Sequence, residues 1–144
     1  MEEADWDAVM NVNAKGACLF SRAAPRPMIR AKAGHIVNIG AFSDGRVVEA
    51  PVHRAASKAA LRGMTEALAR EVGRHGIEVN LVAPGLMASG QSRTLPQHRL
   101  DEYRSQNPLG RLLEPAEVAE VAGWLLGGEN RHISGARIPV DGGV

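Results

Sequence analysis

His53-Arg-Ala-Ala-Ser-Lys-Ala-Ala-Leu61 opens an alanine- and leucine-rich stretch that runs to about residue 74 and gives way to Ile77-Glu-Val-Asn-Leu-Val-Ala83. The first stretch reads as a long helix, with Gly73 and Gly76 bracketing its end as glycines do near a helix C-cap. The second is an apolar run of strand length, stopped by Pro84-Gly85. A helix leading directly into an apolar strand is the repeating unit of an α/β fold.

The rest of the chain fits around that unit. Upstream, Gly34-His-Ile-Val-Asn-Ile39 is another short apolar strand. Before it, residues 4–24 carry Trp6, Val9, Met10, Val12, Leu19 and Phe20 at helix-like spacing. Pro25 and Pro27 should end or kink that helix, because proline lacks the amide and clashes with the preceding turn. Downstream, residues 86–108 hold Gly90, Pro96 and Pro108 and read as a long loop with one short helix at 96–105. Pro115 starts a further helix, and Ala136-Arg-Ile-Pro-Val140 is a last short strand before an Asp141-Gly-Gly143 turn. Strands separated by helices imply parallel pairing through right-handed crossovers. The expectation is an α/β fold of about three parallel strands with helices on both faces.

Composition narrows the function classes. The chain has 144 residues, room for one domain with one core. Lys plus Arg is 17 and Asp plus Glu is 16, for a net charge of +1, which points to neither nucleic acid nor an anionic membrane as partner. No stretch approaches the roughly 20 apolar residues of a membrane span. The start, Met1-Glu-Glu-Ala-Asp-Trp6, is unlike a signal peptide. Cys18 is the single cysteine, so no intrachain disulfide forms, and a reducing, cytoplasmic setting is expected. No metal-ligand pattern is present. Tyr103 is the single tyrosine.

Several segments, in order, resemble the short-chain dehydrogenase/reductase family. They are Trp6 with Asn11-Val-Asn-Ala-Lys-Gly16, Gly34-His-Ile-Val-Asn-Ile39, Ala55-Ala-Ser-Lys-Ala-Ala-Leu61 and Asn80-Leu-Val-Ala-Pro-Gly85. Pro108-Leu-Gly-Arg111, Pro115-Ala-Glu-Val-Ala119, Ser134-Gly135 and Val140-Asp-Gly-Gly143 complete the set. The resemblance covers nearly the whole chain. It implies a Rossmann-type sheet and descent from an oxidoreductase that uses NAD or NADP on a carbonyl or alcohol. It implies too that residues 1–144 are a single truncated domain of that kind, the C-terminal half. The Gly-rich turn that wraps a dinucleotide pyrophosphate has no counterpart here, so cofactor binding by this chain alone is doubtful. The strand at 35–40 would then expose an edge open to pairing with another chain.

The resemblance also assigns site residues. Asn13 falls at the family's catalytic Asn and Lys58 at its catalytic Lys, which contacts the nicotinamide ribose. The tyrosine position, four residues before the lysine, is Arg54. A phenol titrates near ~10 and its pKa can be lowered by a neighbouring cation, whereas a guanidinium stays protonated at any useful pH. Counting back from Arg54 puts Ala41 at the serine position, with Ser43 two residues further on. A methyl group cannot hydrogen-bond a substrate carbonyl. Pro84, Gly85 and Ser89 match the turn and hydroxyl that meet the nicotinamide. His53 could carry a proton, but a helix turns about 100° per residue, so it should face away from Arg54's side. Tyr103 lies in the substrate loop and reads as a packing residue.

The expectation is therefore a truncated, redox-impaired oxidoreductase. One alternative is a dimerising or docking module, pairing through helices 4–24 and 53–74 as a homo-oligomer or with a full-length relative. Another is a non-redox enzyme whose pocket is remodelled around Arg54, which could grip a carboxylate or phosphate in a bidentate manner.

Overall fold

Strand β2 (Ile77–Pro84) is the axis of the molecule, buried along almost its whole length. In the computed structural model, which describes residues 1–42 and 50–144, it lies between β1 (Gly34–Ile39) and β3 (Arg137–Val140) in one parallel sheet of order β1-β2-β3. Gly34 aligns with Ile77 and Ile39 with Val82 on one side of β2. Leu81 aligns with Arg137 and Pro84 with Val140 on the other. A strand paired on both sides and covered on both faces has no wet side, which is why β2 reads as a continuous apolar run rather than an alternating one.

Helix α4 (Val52–Val72) covers one face. Ala69 and Val72 pack with Ile77 and Val79, and Leu61 packs with Leu81 and Ala83. Helix α6 (Pro115–Leu126) covers the other, where Val118 and Leu125 pack with Val82. The split follows the period of two along a strand: 77, 79, 81 and 83 point one way and 82 the other. Asn80 also points toward the α6 side, and both ends of its amide are bonded. It donates to Ile133 O at 2.7 Å and accepts from Ala136 N at 3.1 Å, tying the approach to β3 onto the central strand.

The two faces bear on connection handedness. Three strands laid side by side in chain order, joined by two right-handed crossovers, would have α4 and α6 on the same face. They lie on opposite faces, so one crossover departs from the expected hand. The rule holds in about 98% of such connections; the longer of the two here runs from β2 to β3 and carries α5 (Gln97–Gln106) before α6.

The N-terminal segment is a helical run laid against α4. It comprises α1 (Glu3–Met10), a π-helical turn (Asn11–Gly16) and α2 (Ala17–Ala23). Pro25 and Pro27 kink this run rather than end it. Ala24 keeps right-handed helical geometry and α3 (Pro25–Ala31) follows at once, with Pro25 in its first turn, where a missing amide costs nothing. Two glycines are required by close approach. A Cβ on Gly85 would sit 2.9 Å from Asp141 Cα, and Gly76 has φ +72° with Lys32 O in the way of any side chain. Among the described residues no helix is long and apolar enough to cross a membrane.

Candidate functional site

The site is organised by the first two turns of α4. Arg54 and Lys58 lie four residues apart and so share one side of the helix. Between them Ser57 is completely buried and faces the N-terminal run. Its hydroxyl donates to the Arg54 carbonyl oxygen at 2.9 Å and accepts from Asn13 Nδ2 at 3.0 Å. Asn13 sits in the π turn. Such a turn widens the backbone by one residue and is common at functional positions. It accommodates an asparagine, a residue of poor helix propensity, without breaking the helical run.

Lys58 reaches across to the sheet. Its Nζ donates to Ile39 O at 2.9 Å, at the carboxyl end of β1. Val9, Asn13, Pro51, His53, Arg54 and Lys58 line an open cleft of about 320 Å³. His53 was expected to face elsewhere, yet it lines this cleft as well. The cleft wraps the start of α4 broadly enough to take in two adjacent residues. His53 Nδ1 is buried and has no hydrogen-bond partner among the described residues.

The remaining sequence-assigned positions fall outside that lining. Ala41 is buried, at 8% exposure, just past β1. The next residue, Phe42, meets Tyr103 of α5 edge to face with ring centres 5.9 Å apart. Tyr103 is thus a packing residue, and it closes a separate small cavity with Phe42, Gly85, Leu86 and Asp141. Pro84 is buried at the end of β2. Ser89 is half-buried, and its carbonyl accepts a hydrogen bond from Ser92 Oγ at 2.9 Å. Ser43 lies outside the described residues. The structure therefore brings Asn13, Arg54 and Lys58 together and adds His53 and Ser57. Ser57 went unassigned in the sequence, where its one signal was a serine inside an alanine-rich helix. Among the described residues no three His, Cys, Asp or Glu side chains are placed to hold a metal ion.

A close charge pair lies elsewhere, at the start of α6. Arg111 holds the Glu117 carboxylate with two hydrogen bonds, at 2.6 and 2.8 Å. Glu117 in turn accepts from the Glu114 amide at 2.9 Å. Together these lower its pKa to about 2, chiefly through the Arg111 hydrogen bond.

A family model described as enoyl-(acyl carrier protein) reductase matches residues 1–144. The 3-oxoacyl-[acyl-carrier-protein] reductase of Pseudomonas aeruginosa is 39% identical over 144 residues, covering 100% of this chain and 58% of that protein. The crystal structure of a 3-oxoacyl-[acyl-carrier protein] reductase from Brucella melitensis superposes with a TM-score of 0.95 at 34% identity, over 100% of this chain and 54% of that one. That of a gluconate 5-dehydrogenase from Burkholderia cenocepacia, in complex with NADP and tartrate, also gives 0.95, at 30% identity and over 99% and 57%. The chain spans a little over half the length of the relatives it matches.

Proposed function

The chain belongs to the short-chain dehydrogenase/reductase family, and from that premise we propose that it is a redox-impaired member. The observation that carries this reading is the cleft at the head of α4. It retains Asn13 and Lys58, but Arg54 stands where the family has its tyrosine acid. A nicotinamide cofactor, when bound, supplies or accepts the hydride. Lys58 would hold its ribose and Ser89 its carboxamide beside the Pro84–Gly85 turn. These positions lie at or just past the carboxyl ends of β1 and β2, where ligands of open α/β sheets bind. They fit one end of a dinucleotide. The other end has no counterpart among the described residues, since the turn after β2 leads through Ser89 to a short 3-10 turn at Gly90–Thr94 rather than straight into a helix.

The protein's own groups then decide the proton. Reduction of a carbonyl leaves an alkoxide that must be protonated. Arg54 cannot give up a proton near neutral pH, and Ala41 offers no hydrogen bond to the carbonyl oxygen. Tyr103 is engaged with Phe42 in another cavity. Residues 1–144 on this reading form one unit; His53 lines the cleft and is a side chain able to carry a proton, but with Arg54 and Ala41 at the tyrosine and serine positions this unit does not complete the family's proton-transfer site. Purified protein given NADH or NADPH and a panel of ketones and 3-oxoacyl thioesters should show no turnover above background. Robust oxidation of either cofactor would overturn the proposal.

A second reading, an assembly module, is favoured by the N-terminal run. Val12, Leu19 and Phe20 are 74%, 47% and 80% exposed. That is an unusual concentration of large apolar side chains facing water.

A further inference from the structure

We draw no further inference here: the strongest candidate, the outer edge of β1, left unpaired by any strand among the described residues, carries nothing because nothing in the structure shows what covers it.

Discussion

Ser57 is the residue on which the site's geometry rests. It has no exposed surface, and one hydroxyl satisfies both the Arg54 carbonyl and the Asn13 amide. Ser57→Ala removes that hydroxyl and leaves Asn13 Nδ2 without this acceptor. The expected loss is about 1–3 kcal/mol, the range for stranding a buried polar group, read as a lower urea midpoint at unchanged slope. The same change should broaden or shift the Asn13 side-chain resonances. At this scale the sequence was partly legible. Asn13, Arg54 and Lys58 could be placed because their spacing along one helix and one motif is local. Ser57's partnership could not, because it joins residues 44 positions apart. The place of His53 is hidden for a related reason: helical geometry gives the angle between neighbours but not the breadth of the cavity they face.

At the scale of elements, α6 shows how a helix start is fixed by charge. Glu114 and Glu117 form a reciprocal cap, and Arg111 clamps Glu117 from the preceding loop. Glu117 titrates near 4.5 when unfolded and at about 2 when folded. A carboxylate with a depressed folded pKa adds stability above its unfolded value and loses it as pH falls toward the folded one. Stability should therefore decline between about pH 4.5 and 2 in part through this group. The effect is small, because the pair is exposed to water. Glu117→Gln should be less stable at neutral pH and show a flatter stability profile across that window, measured by urea unfolding at a series of pH values. The elements themselves were legible, since strong periodicity and proline or glycine boundaries mark them. What sequence pattern missed was α3. Pro25 and Pro27 read as an end or a kink of the first helix, and a proline in the first turn of a new helix is no obstacle to resuming it.

For the whole molecule, the parallel three-stranded sheet and its two covering layers were legible, because alternation of strands and helices leaves few arrangements. The hand of the connections was not, because the rule is a strong tendency rather than a necessity and one crossover here departs from it. The exposed Val12, Leu19 and Phe20 lead to a prediction about assembly. Light scattering should report a dimer or larger species, and Phe20→Glu should shift it toward monomer, since a buried charge in an apolar contact is costly. An unchanged mass for that variant would place the contact elsewhere.

The π turn at Asn11–Gly16 has a consequence for the phase of the N-terminal run. A π turn holds one residue more than an α turn, so deleting any one residue within it would restore regular pitch. The flanking segments would keep their phase, because the wider turn takes up one more residue over nearly the same rotation. Both halves of the run address α4: α1 lies against it, and Ala17 of α2 packs against the cluster of Leu61, Leu81 and Ala83. The widened turn thus absorbs an extra residue while keeping two helical segments in step with one partner. A single-residue deletion inside it should disturb the packing on α4 less than one in α2, which would turn α1 by about 100°.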